Sequence, residues 1–225
     1  MNRRTLVKGS LAIGAGALLG TQVAGCSAST APSPASSQPR VTPEGNTDSS
    51  SSKVLLVYFS RAGENYYYGG RIDLEVGNTE VVANMVASAI TVDVYRIQAA
   101  DPYPESYEAT VERNRQEQDD EARPAIAGRL PTVDTYNTVL LGSPIWNIRP
   151  PMIMRTFADN VDLRGKTIYP FVTYAVSGMG NTIDDYIRFC RGTSIGEGLA
   201  VRGEEAQDAR NDVNQWLKRT GLLTD

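Results

Sequence analysis

The chain has 225 residues, 41% of them hydrophobic, 8% aromatic and 21% charged, with a formal net charge of −4. That balance is ordinary for a globular domain and excludes fibrous, disordered and disulfide-stapled classes. There is no histidine and there are two cysteines, Cys26 and Cys190. Ser-His-Asp and Cys-His nucleophiles, histidine-ligated zinc, and four-cysteine or CxxC sites are therefore excluded.

Residues 1–26 read as an export signal. Arg3, Arg4 and Lys8 precede an apolar, glycine- and alanine-rich core, Leu11 to Leu19. That core is shorter than the roughly 20 residues that span a bilayer. Adjacent arginines ahead of a mild core resemble a twin-arginine signal. The core ends in Val23-Ala24-Gly25-Cys26, which looks like a lipobox with Cys26 as the lipidated residue. An ordinary signal with an incidental cysteine is the alternative. Residues 27–52, rich in Ser, Pro and Thr, carry almost no large apolar side chain and read as a disordered tether. Without Arg3, Arg4 and Lys8, 19 basic residues face 26 acidic ones, a balance of −7 that disfavours nucleic acid and anionic lipid as partners.

From residue 53 to 225 strands and helices alternate. Lys53 to Ser60 is a near-continuous apolar run, as in a parallel strand buried on both faces. Asn78 to Ile90 sets Val81, Val82, Met85, Val86, Ala89 and Ile90 on one helical stripe. A strand follows over Val92 to Ile97. Next comes a charged helix over Ser106 to Ala122, read as a solvated face and stopped at Arg123-Pro124. Thr138 to Gly142 and Thr167 to Tyr174 are further buried strands, separated by a helix that opens at Pro150-Pro151 and runs to Asn160. Helices over Asn181 to Arg191 and Glu204 to Lys218 flank a short strand at Ile195 to Val201. The order predicts an α/β fold, an open doubly wound sheet of five parallel strands.

Ligands of such sheets bind beyond the carboxyl ends of the strands, which directs attention to the loops after Ser60, Gly142 and Thr173. Ser60-Arg61-Ala62-Gly63, with Gly77-Asn78-Thr79 at a helix start, offers N–H groups, hydroxyls and a positive helix end to an anion. The same residues would also serve as a plain helix cap, with Gly77 making the turn. No lysine lies in the loop, which argues against a Walker-type triphosphatase. Gly178-Met179-Gly180 resembles the start of a dinucleotide fingerprint, but position 183 is Ile.

Taken together, the segments VLLVYFSRAG, GNTEVVA, DPYPESYEATVERNRQEQDDEARPAI, YNTVLLGSPIW, GKTIYPFVTYAVSGMG and EGLAVRG resemble the flavodoxin-like FMN-binding family, in its long-loop bacterial branch. The resemblance implies FMN as cofactor. Its phosphate would be cradled by Ser60, Gly77, Asn78 and Thr79, with Arg61 nearby as a countercharge. Pro144, Ile145, Trp146 and Asn147 would line the ring, and Thr173, Tyr174, Ala175, Ser177, Gly178 and Gly180 would close its other side. Core aromatics are the alternative reading of Trp146 and Tyr174.

The chain departs from the family in three places. Asn147 stands where many members have a second tryptophan, and Tyr174-Ala175-Val176 replaces a His- or Ser-Gly-Gly. Glu64 to Val76 is an insert, readable as a lid, a partner surface or a small packed hairpin. The resemblance implies an electron-transfer protein, and the export signal and lipobox place it on the extracytoplasmic face of a bacterial membrane, anchored by Cys26. Its partner would be a redox protein or a quinone, with no metal and no catalytic side chain of its own. An FMN-dependent NAD(P)H or quinone reductase, and a non-redox binding module of the same fold, are the alternatives.

Overall fold

The computed structural model describes residues 53–224. The signal sequence, the lipid site at Cys26 and the tether expected over 1–52 lie outside the described residues. The elements run β1 (Lys53–Phe59), β2 (Gly63–Tyr67), β3 (Gly70–Leu74), α1 (Asn78–Ala89), β4 (Asp93–Ile97), α2 (Tyr107–Asp119) and β5 (Tyr136–Pro144). They continue through α3 (Met152–Asn160), β6 (Thr167–Tyr174), α4 (Thr182–Phe189), β7 (Ser194–Ile195), β8 (Leu199–Arg202), a 3-10 helix (Gly203–Asp208) and α5 (Arg210–Arg219).

The main sheet is parallel throughout, in the order β4-β1-β5-β6, with β7 and β8 both pairing β6. The expected five-position doubly wound sheet is present, with its last position divided. Ile195 pairs Ile168 and Leu199 pairs Phe171, so Gly196, Glu197 and Gly198 lie opposite only Tyr169 and Pro170. Pro170 has no N–H to donate, and the ladder bulges out at that point. The Trp216 indole N–H then donates to the exposed Glu197 carbonyl (2.9 Å) and holds the bulge against α5.

Alternation along β1 divides the core. Leu55, Val57 and Phe59 join a cluster with Ile153, Met154, Phe157 and Tyr186 of α3 and α4. Leu56 and Tyr58 join Val82, Val86, Val213, Trp216 and Leu217 of α1 and α5 on the opposite face. Burial on both sides is why β1 and β5 read as unbroken apolar runs. Cys190 is buried beside α4, and burial pushes its thiol up to about 12.

The insert forms a two-stranded antiparallel hairpin, β2 and β3, apart from the main sheet. Tyr68 and Gly69 both have positive φ, 42° and 89°, which is the signature of a two-residue type I′ turn. Of the readings open for Glu64 to Val76, the hairpin is the one observed. Among the described residues, no helix is long and apolar enough to cross a membrane.

Candidate functional site

β1 and β5 are neighbours whose connections leave in opposite directions, so a crevice opens at their carboxyl ends. A cavity of about 380 Å³ lies there, lined from β1, α1, β5 and β6, and also from the hairpin, α2 and the 3-10 helix. That volume is within the range of small-molecule sites. Ser60, Arg61, Asn78, Thr79, Pro144, Ile145, Trp146, Asn147, Thr173, Tyr174 and Ala175, all singled out in the sequence, line it.

At one end the hydroxyls of Ser60, Thr79 and Thr173 meet the start of α1, each with under a tenth of its surface exposed. The α1 cap is Gly77, which makes no side-chain cap bond. The first turn, whose N–H groups lack acceptors, is instead capped from just past β1, where Ser60 Oγ accepts the Glu80 N–H (3.1 Å). Thr79 Oγ1 and Thr173 Oγ1 are 2.7 Å apart and join α1 to β6. Asn78 and Thr79 are thus not consumed in capping. The Asn78 and Thr79 N–H groups, at the positive end of α1, have no acceptor within the helix. Gly77 does not line the cavity but permits it: a Cβ there would overlap Ser60 Oγ and the Arg61 carbonyl.

Arg61 is not the free countercharge expected. Its Nη1 donates to the carbonyls of Pro104 and Glu105 (both 2.9 Å) and its Nη2 to that of Glu64. It clamps the hairpin base to the loop before α2, while its Nε is buried without a partner. Burial holds the Arg61 guanidinium below its usual range.

At the other end Trp146 meets Phe59 edge-on (5.6 Å between centroids) and Tyr103 likewise (5.0 Å). It is half-buried, packing on the core with one side and lining the cavity with the other. Its loop is a tight turn: Trp146 and Arg149 exchange main-chain hydrogen bonds (2.9 and 3.2 Å), with Asn147 and Ile148 at positive φ. Gln118 of α2 donates to the Trp146 carbonyl (3.1 Å) and accepts from Asn147 Nδ2 (2.8 Å). From behind, Arg149 makes a two-pronged pair with fully buried Asp185 (2.9 and 3.1 Å). The Asp185 carboxylate, through its hydrogen bonds, holds the Arg149 guanidinium above its usual range.

Ser177, Gly178 and Gly180 do not line the cavity. Their loop packs against the 144–149 turn, with Asn181 N–H donating to the Ile148 carbonyl (2.7 Å). Gly180, at φ 52°, sits where a Cβ would overlap that carbonyl, so it supports the turn from outside.

Sequence reasoning missed Asn65, Tyr66, Tyr107, Thr110, Val111, Asn114, Arg115, Gly203 and Glu204. Five of these lie on α2, the helix read as a solvated face. Positions 107, 110, 111, 114 and 115 follow one helical stripe, but a polar one, with Thr110 and Asn114 buried. Periodicity of buried-type polar residues was the available signal. Tyr66 was within the three-tyrosine run; Tyr67 and Tyr68 beside it are exposed.

Solved structures share this architecture. The chain is similar to a candidate flavoprotein of Bacteroides eggerthii DSM 20697, with 28% identity, TM-score 0.61, and 76% of this chain and 98% of that one covered. A second from Bacteroides uniformis ATCC 8492 has 29% identity and TM-score 0.59 over 74% and 98%. A flavoprotein of Lactobacillus acidophilus NCFM, solved in complex with FMN, shares the fold at 18% identity and TM-score 0.51 over 71% and 99%. No curated protein matches the chain. A flavodoxin family model matches residues 74–220, the greater part of the sequence, and the chain belongs to the flavodoxin family.

Proposed function

We propose that the chain binds FMN non-covalently in this cavity and carries electrons between partners at the outer face of a bacterial membrane. The observation that carries the reading is the chemistry of the two ends of one cavity: the buried hydroxyls of Ser60, Thr79 and Thr173 with the start of α1 at one end, and Pro144, Trp146 and Tyr174 at the other. Hydroxyls at a positive helix end suit an anionic group, and an aromatic and apolar wall suits a flat ring. A sugar-alcohol phosphate joined to a flat ring has that composition. The FMN of the Lactobacillus acidophilus complex, on the same fold, is the matching ligand.

When bound, FMN supplies the reversible uptake and release of electrons. The protein's part is to hold and shield it. Ser60, Asn78 and Thr79 at the start of α1 would receive the phosphate, where the helix end favours an anion. Pro144, Ile145, Trp146 and Asn147, with Tyr174 and Ala175 across from them, would cover the ring and exclude water. Tyr66 and Tyr107 add aromatic surface from the hairpin and α2.

Anchorage rests on the Cys26 lipobox, with a redox protein or a quinone receiving the electrons. Membrane fractionation of Cys26→Ala tests the anchor: release into the soluble fraction is expected, and a variant that stays bound refutes it. For the site, an absorption spectrum after FMN reconstitution is the test, with a bound flavin spectrum expected. Steady NADH or NADPH consumption with a quinone and no added reductase would instead make the protein a reductase.

A further inference from the structure

We infer that a hollow lined by five arginines, behind the 144–149 turn, is a second binding site, which takes a small organic phosphate carrying at least two negative charges. It shares no lining residue with the flavin cavity and does not rest on the FMN reading.

The hollow, of about 430 Å³, lies between the end of α2, the start of α3 and the end of α4. Arg123, Arg149, Arg155, Arg188 and Arg191 line it, and Glu121 is the single acid among its lining residues. The domain around it is acidic: residues 53–225 hold 18 lysines and arginines against 24 aspartates and glutamates.

Two aspartates that do not line the hollow organise four of these arginines. Asp159 accepts from Arg123 Nε (2.5 Å) and from Arg155 Nε (2.9 Å). Asp185, fully buried, accepts from two nitrogens of Arg149 and from Arg188. Each carboxylate thus fixes two guanidinium groups and neutralises one, which leaves a net positive charge at each. Bracing the turn needs only Arg149 on Asp185. A guanidinium has five N–H donors, and these bonds leave several unused. Among the described residues, nothing accepts from Arg123 Nη2, Arg149 Nη1, Arg188 Nη1 or either Nη of Arg155. The Arg191 side chain has no partner there at all. The four paired arginines keep between 28% and 61% of their side-chain surface exposed, so a ligand can reach them.

Two centres of net positive charge, with Arg191 beside them, call for a ligand with two or more negative charges. Guanidinium forks match the paired oxygens of phosphate groups. A lone phosphate would fill little of the hollow, whereas Ile187 and Phe189, over whose ring Arg155 lies at 4.0 Å, offer apolar surface to an organic part. A concave lining of this volume suits a small molecule better than a flat acidic protein surface. Because Arg149 also braces the turn that carries Trp146, an occupied hollow holds that turn more firmly.

Calorimetric titration of the ligand-free protein with pyrophosphate, and with orthophosphate for comparison, tests the inference. Pyrophosphate should bind one to one and about tenfold tighter than orthophosphate, because it reaches both charge centres. Arg191→Ala disturbs no bond of the folded chain, and Arg155→Lys keeps the charge while losing the fork. Each should weaken pyrophosphate by about threefold to tenfold, with the urea midpoint of the Arg191 variant unchanged. Thr79→Ala, at the flavin cavity, should leave pyrophosphate affinity as it is. No binding at millimolar pyrophosphate, equal affinity for the two anions, or a loss in Thr79→Ala with none in the arginine variants overturns the inference. Each of those results leaves the FMN reading standing, since that reading is tested by flavin binding alone.

Discussion

At the α1 end of the cavity the contacts are short hydroxyl and main-chain bonds among Ser60, Thr79, Thr173 and Glu80, all close to the sheet. At the opposite end a four-residue turn with two non-glycine residues at positive φ is held from outside by Asp185, Gln118 and Gly180. The first end is an outgrowth of regular elements, whereas the second is an irregular loop that exists because other segments brace it. The difference teaches where function and stability separate. Changes at the α1 end should alter ligand affinity with little effect on the fold, and changes at the turn should alter both.

Asp185→Ala should break this pattern most severely. It removes a fully buried carboxylate that pairs with Arg149 and Arg188. Deleting one member of a buried pair costs about 3–5 kcal/mol; the partial exposure of both arginines puts the expected loss near the lower end. Urea unfolding of the ligand-free protein measures it, and a loss under about 1 kcal/mol would mean that the turn stands without its brace.

Trp146→Ala comes next. Truncating a fully buried tryptophan costs about 3–5 kcal/mol, and this one is half-buried, so a loss of about 2 kcal/mol in ligand-free stability is expected. FMN affinity should fall about tenfold as well, as ring contact is lost. Comparing unfolding with FMN titration separates the two roles, and loss of stability with unchanged affinity would remove Trp146 from the ring site.

Thr79→Ala should do the reverse. FMN affinity is expected to drop about tenfold, while stability changes by no more than about 1 kcal/mol, because alanine's helix preference offsets part of the lost bond to Thr173. Asn65→Ala should matter less: its Nδ2 already donates to the Gly63 carbonyl (2.9 Å) within the hairpin. Equal losses in both variants would contradict the assignment of the phosphate to α1.

The smallest effect is expected in the hairpin. Type I′ turns favour Asn at the position that Tyr68 occupies, so Tyr68→Asn should stabilise the protein by about 0.5–1 kcal/mol while keeping the N–H that Glu204 accepts. A thermal midpoint that falls instead would show that the exposed tyrosine ring contributes packing with Tyr67, its edge-on neighbour at 4.9 Å.

The contrast between the two ends also explains which features could be read from the chain. Strands buried on both faces announce themselves as apolar runs, and Leu55 to Phe59 and Val139 to Leu141 did so. Helix starts after those strands were equally readable, which located the α1 end. The 3-10 start of the final helix, the division of the last strand and the inner face of α2 were not. Each depends on a partner distant in sequence: Pro170 interrupts a ladder, and Tyr103, Trp146 and the hairpin create the space that the polar α2 stripe fills. Arg61 shows the same limit. Its charge was visible, but not that its terminal nitrogens would be spent on the carbonyls of Pro104, Glu105 and Glu64.

The central claim is that this cavity binds FMN with its phosphate at the start of α1. Calorimetric titration of the protein with FMN and, separately, with riboflavin tests it most directly. FMN should bind with one-to-one stoichiometry and at least about tenfold tighter than riboflavin, because phosphate recognition by a helix end and hydroxyls is lost in riboflavin. Equal affinity for the two flavins, or no binding of either, would contradict the claim.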